Sequence, residues 1–183
     1  MKKLIIVAML LMCSAAVGNA TVLTFDELQG QGPLPTNYAG LVWGNGWDHY
    51  DFSQDPYNAF SSPERVYNNG GTPSVAFSTA TVFDGAYFAG YGTASYSMYL
   101  NNSLVHTSGQ INLSSTPTWL DSGYGQSVDY VFLNVDQGRF IMDNFTYNES
   151  NGNQPVPEPS TFILFGAGLA GVAFLKRRKN NKA

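Results

Sequence analysis

Between residues 22 and 147 the apolar side chains come in short bursts separated by Gly, Asn, Ser and Pro, and no stretch repeats at helical spacing. The bursts are rich in Val, Tyr, Phe and Thr, residue types that suit a pleated, half-buried surface. Those that read as strands are Val22 to Leu28, Ala39 to Trp43, Ser74 to Ser78, Ala86 to Tyr91, Ser95 to Leu100, Leu104 to Thr107, Thr118 to Asp121, Ser127 to Val135 and Arg139 to Tyr147. Asn101-Asn102 is expected to turn one pair into a hairpin, and Asp136-Gln137-Gly138 another. The pattern predicts an all-β chain folded as a single β-sandwich, with a long first loop as its main irregularity.

Both ends depart from this pattern. Met1 to Ala20 carries Lys2 and Lys3, an apolar run from Leu4 to Val17 and a small-residue close at Gly18-Asn19-Ala20. That order predicts a secretory signal peptide cut before Thr21. At the other end an uncharged run from Thr161 to Leu175 is followed by Lys176, Arg177, Arg178 and Lys179. As a helix this run would be roughly 22 Å long, short of the roughly 30 Å hydrocarbon core of a bilayer. The basic cluster would hold its end on the cytoplasmic side and leave the bulk of the chain outside. The expected layout is therefore 1–20 signal peptide, 21–150 ectodomain, 151–156 linker and 157–182 a C-terminal membrane segment.

Charge narrows the partners. Between Thr21 and Val156 two basic residues, Arg65 and Arg139, face twelve acids, a net charge of about −10. Such a surface is a poor match for nucleic acid or anionic lipid. Cys13, the one cysteine, lies in the signal segment, so the exported part would have neither a thiol nor a disulfide, and its stability must come from its core.

The stretch Trp43 to Phe60, WGNGWDHYDFSQDPYNAF, mixes aromatic rings with Asp and Asn. Flat rings stack on the apolar faces of sugars while short polar side chains fix hydroxyls, so Trp47, Tyr50, Asp48 and Asp51 suit a glycan site. Trp43 follows an apolar run and reads as core, whereas Trp47, between Gly46 and Asp48, reads as exposed. The plainer alternative is that all these rings are core. The chain carries no G-x-S-x-G elbow and no clustered acidic motif of a sandwich glycosidase. The expectation is a non-enzyme, with Asp48, Asp51 and Asp55 the places where carboxylate pairs could form.

Pro157-Glu158-Pro159, the short apolar run and the basic end, in that order, resemble the PEP-CTERM sorting signal of Gram-negative bacteria that make extracellular polysaccharide. The resemblance implies an exosortase-type transpeptidase that recognises Pro157, Glu158 and Pro159, with Lys176, Arg177 and Arg178 completing the signal. It implies a transient stay in the inner membrane, then delivery to the cell surface or extracellular matrix. The order VLTFDEL, YAGLVWGNGW, FDGAYFAGY and VDYVFLNVDQGRFIMDNFTY also resembles a set of exported PEP-CTERM ectodomains, which look like galactose-binding-type jelly rolls. In that fold first and last strands are neighbours. Ile141, Asp143 and Phe145 are expected to share one face of the last strand, and Leu23, Phe25 and Glu27 one face of the first. Glu27 and Asp143, with Asp26 or backbone carbonyls, could then hold a structural Ca²⁺; alternatively they are solvated or accept backbone amides. The functional expectations are a non-catalytic module binding extracellular polysaccharide in a biofilm, a self-associating matrix or adhesion protein, or, least supported, a weak glycoside hydrolase.

Overall fold

The computed structural model describes residues 20–136 and 138–148, all within one compact unit, Gly18–Ser150. The rest of the expected signal peptide, the linker and the sorting segment lie outside the described residues. Among the described residues there are twelve strands: β1 (Ala20–Leu23), β2 (Gln31–Pro33), β3 (Val42–Trp43), β4 (Trp47–Tyr50), β5 (Arg65–Asn68), β6 (Ser74–Gly90), β7 (Thr93–Leu100), β8 (Ser103–Thr107), β9 (Ile111–Asn112), β10 (Thr118–Asp121), β11 (Ser127–Val135) and β12 (Phe140–Asn148). Every ladder is antiparallel. Apart from one 3-10 turn at Tyr38–Gly40, the described residues are strands and loops, as the pattern of short Val- and aromatic-rich bursts predicts.

The seventeen-residue β6 is shared by both layers of the sandwich. Near Val75 it runs between β3 and β11, and from Gly85 to Phe88 between β10 and β12. One layer therefore has the order β2-β4-β5-β12-β6-β10, and the other continues from β6 through β11 and β7 to β8 and β9. Between them lies an aromatic core. Tyr96 of β7 meets Phe83 and Phe88 of β6 at 4.8 and 5.9 Å, and Trp43 meets Trp47 and Phe145 at 5.3 and 5.7 Å. At about 150–250 Å² of buried surface per ring, these contacts supply the stability that no disulfide provides.

Two of the expected runs, Ser74 to Ser78 and Ala86 to Tyr91, are parts of one strand. The bend and partner switch between them are set by distant strands, so the local sequence gave two bursts. Gly85 is required in the second half. Its φ is +151°, and a Cβ there would stand 2.2 Å from the Leu120 carbonyl oxygen and 2.8 Å from the Trp119 ring. The expected long first loop carries β2, β4 and β5, whose three or four residues are too few for a visible alternation, and of the expected strand Ala39 to Trp43 only Val42–Trp43 pairs, Tyr38–Gly40 forming a 3-10 turn.

Asn101 and Asn102, at φ +51° and +61°, turn β7 into β8 as predicted. Asp136 to Gly138 does not make a hairpin. Its flanking strands β11 and β12 pair with opposite sides of β6 and so belong to different layers. The first and last strands are neighbours, with Leu23 opposite Phe145.

Candidate functional site

Directly opposed residues of an antiparallel pair share a face, so the register assigns each side chain of the first layer. Trp47 opposes Asn68, His49 opposes Val66 and Val66 opposes Met142, which places these on the inner face. Asp48 opposes Tyr67, Tyr50 opposes both Gln31 and Arg65, Ile141 opposes Ala89, and Tyr87 opposes both Asp143 and Trp119. These form the outer face. Residues 52–63 lie across it and bury Arg65, Ala89, Ile141 and Asp143.

Two buried side chains fasten this loop. The Arg65 guanidinium donates to the carbonyls of Phe52 and of Pro63 (2.8 Å), the loop's two feet, and stacks over the Tyr50 ring at 4.2 Å. Burial raises the Tyr50 pKa, against the opposing pull of Arg65. At the far side the Asp143 carboxylate accepts the backbone N–H groups of Phe60 (2.8 Å), Ser61 (2.7 Å) and Asn144 (2.7 Å) and the Ser61 hydroxyl. Burial pushes the Asp143 carboxyl up to about 6, and those hydrogen bonds hold it from going further.

Fastened in this way, the loop and the sheet enclose a cleft of about 290 Å³ whose lining includes Gln31, Tyr50, Phe52, Gln54, Tyr57, Tyr67 and Asn69. Tyr50 meets Phe52 at 4.8 Å and Tyr67 edge-on at 5.5 Å. Phe52 is 48% exposed. Tyr57 contacts Tyr91, over which the Arg139 guanidinium sits at 5.5 Å. The exposed Phe52, the half-buried Tyr57 and Tyr67 and the neutral amides of Gln31, Gln54 and Asn69 therefore line one opening, over a floor made by Tyr50. A larger cleft of about 460 Å³ lies on the other layer, with Tyr99, Tyr130, Asn102 and Asp129 in its lining. Its two tyrosines stand edge to face at 5.7 Å, with Asn102 and Asp129 as their polar neighbours.

The sequence-derived candidates divide. Tyr50 and Asp48 share the outer face, but Tyr50 is only 4% exposed, with the Arg65 guanidinium over its ring, and forms the floor of the cleft. Asp51 is exposed at the end of β4 and accepts the Gly30 N–H (3.1 Å). Trp47, expected to be exposed, is 2% exposed in the core, and its indole N–H donates to the Ser74 carbonyl (3.3 Å). Gly46 and Asp48 suggested a loop, but Asn68 across the ladder fixes Trp47 inward. Phe52, Tyr57, Tyr67, Arg65 and Asp143 complete the site. Phe52 and Tyr57 lie inside the aromatic stretch already singled out, whereas nothing local marks Arg65 or Tyr67.

The acidic candidates are arranged differently from expectation. Asn144, at φ +50°, sits in a bulge that reverses the alternation of β12. Ile141 and Asp143 consequently face outward, while Phe145 joins Phe140 and Met142 in the core. Likewise β1 ends at Leu23, and Phe25, at φ +63°, belongs to the turn that follows. Glu27 is exposed and accepts the Tyr38 hydroxyl. Asp26 accepts the Glu64 N–H (3.3 Å). Among the described residues no group of three or more His, Cys, Asp or Glu side chains is placed to hold a metal ion, so Glu27, Asp26 and Asp143 do not converge. Burial and the Glu27 contact together raise the Tyr38 hydroxyl pKa well above its usual value. Beside this turn His49 pairs with the fully buried Glu64.

Residues 155–179 match the PEP-CTERM protein-sorting motif, which contains Pro157, Glu158, Pro159 and the basic cluster. The motif implies export and a membrane-anchored precursor. Among the described residues no helix is long and apolar enough to cross a membrane; the run Thr161 to Leu175 lies outside them. No curated protein matches the chain. Solved structures with similarity to it include two mutants of CBM29-2, a family 29 carbohydrate binding module. One is 15% identical over 72% of this chain and 92% of its own, with a TM-score of 0.39; the other is 14% identical over 76% and 99%, with a TM-score of 0.40. At that overlap no residue role is carried across.

Proposed function

We propose that the outer face of the first layer binds a polysaccharide without cleaving it, and that the exported protein thereby attaches to the extracellular polysaccharide or biofilm of its producer. The cleft between Tyr50, Phe52, Tyr57 and Tyr67 carries this reading. It combines aromatic faces with the amides of Gln31, Gln54 and Asn69, the pairing that sugar rings require of a binding surface. Among the described residues lining it there is no carboxylate, whereas glycoside cleavage needs two. The strong negative charge favours a neutral glycan over a polyanionic one. Processing by an exosortase-type transpeptidase, with release of the basic tail, would deliver this face to the cell surface or matrix.

Affinity electrophoresis of the purified protein through gels containing the producer's own extracellular polysaccharide tests the proposal. Retardation that Phe52→Ala removes supports it. A mobility indifferent to the polysaccharide overturns it and leaves self-association as the explanation for a displayed, non-catalytic sandwich.

A further inference from the structure

The outer face does not end at the cleft. Phe60, 50% exposed, lies flat on Tyr87 with ring centroids 3.5 Å apart and planes within 8°, and Trp119 meets Tyr87 edge-on at 5.2 Å. One side of the Phe60 ring is covered by Tyr87, and half of the residue remains open to solvent. Its backbone is fixed: the Phe60 and Ser61 N–H groups both reach the Asp143 carboxylate beneath. An exposed ring held by a buried charge has lost its freedom before any ligand arrives, which lowers the ordering cost of binding. Trp119 is held as closely, against the bare backbone of Gly85.

We infer that Phe60, Tyr87 and Trp119 form a second sugar-stacking subsite, so that one polysaccharide chain lies across the outer face in contact with both platforms. This rests on the glycan-binding reading of the cleft. In the strand order β4-β5-β12-β6-β10, Tyr50 and Trp119 stand on the two end strands. Four interstrand spacings separate those strands, about 19 Å, a span of several sugar units. The ligand class is therefore a polymer rather than a mono- or disaccharide. Affinity should rise with chain length until both platforms are covered.

The test is titration calorimetry of the full-length protein with sized fragments from partial hydrolysis of the producer's extracellular polysaccharide. The wild type is compared with Phe60→Ala, Trp119→Ala and, as the cleft control, Phe52→Ala. The expected result is that the wild type binds long fragments more tightly than short ones. Phe60→Ala and Trp119→Ala should each weaken long-fragment binding about three- to tenfold, the range for one aromatic contact, while leaving short-fragment binding intact. Phe52→Ala should weaken both. Both Phe60 and Phe52 are about half exposed, so their truncation leaves the core in place, and near-ultraviolet circular dichroism checks this. If Phe60→Ala and Trp119→Ala bind long fragments as the wild type does while Phe52→Ala fails, the second subsite is overturned and the cleft stands. If no fragment binds the wild type, the glycan reading itself falls, and the subsite with it.

Discussion

Asp143 offers a direct test of how the loop is held. Its carboxyl is raised from 3.8 to about 6 by burial, a shift of about 2 units, or about 3 kcal/mol between the protonated and ionised folded states. In the unfolded chain the proton leaves near pH 4, and in the folded chain near pH 6. Below about pH 4 both states hold it and stability is highest with respect to this group. Between about pH 4 and 6 only the folded state keeps it, so stability falls with rising pH, and above about 6 the full cost of about 3 kcal/mol is present. Asp84, also raised by burial, works in the same direction, so the comparison must be with Asp143→Asn. That variant keeps an acceptor for Phe60 and Ser61 and cannot titrate. It turns its amide toward the Asn144 N–H and loses that hydrogen bond, a penalty independent of pH. Urea unfolding at a series of pH values should show the wild type losing about 3 kcal/mol relative to Asp143→Asn between pH 4 and 7. Parallel stability curves for the two proteins would refute the buried-carboxylate account of the loop.

Other predictions follow from the same packing. Trp47→Ala should destabilise the protein by about 3–5 kcal/mol, measured by denaturant unfolding, because the ring fills the core between Trp43 and Phe140. Arg65→Met should release the Phe52 and Pro63 carbonyls and cost about 1.5–3 kcal/mol per charge-assisted hydrogen bond; hydrogen exchange across residues 52–63 should accelerate before global unfolding does. His49→Ala should strand the buried Glu64, one of whose oxygens already lacks a hydrogen-bond partner, and cost about 3–5 kcal/mol. A His49→Leu, Glu64→Leu double variant should recover most of that loss, and a double variant no more stable than His49→Ala would contradict the pairing.

The parts of this fold that sequence makes visible are those whose cause is local. Thr118–Asp121 and Ser127–Val135 carry their own strand composition and pairing ends, and the Asn101-Asn102 turn needs residues that tolerate positive φ. What stayed hidden depends on partners far along the chain. Trp47 looks exposed between Gly46 and Asp48 until Asn68 is set opposite it. Asp143 and Phe145 look alike in alternation until the Asn144 bulge sends one outward and the other into the core. Nothing local marks Glu64 and Arg65, whose partners His49, Phe52 and Pro63 are brought to them by the fold of the 52–63 loop over β5. The stretch from Trp43 to Phe60 stands out as aromatic and polar in the sequence, but which of its rings face outward is decided by the register of β4 against β5.

The central claim is that a glycan lies on the outer face of the β2-β4-β5-β12-β6-β10 layer. Hydrogen–deuterium exchange of the protein with and without the producer's extracellular polysaccharide tests it most directly. The account predicts slowed exchange confined to peptides covering Gln31, residues 50–61, residues 65–69, Tyr87 and residues 118–121. Protection on β7 and β8 instead, or no protection at a saturating polysaccharide concentration, would contradict it.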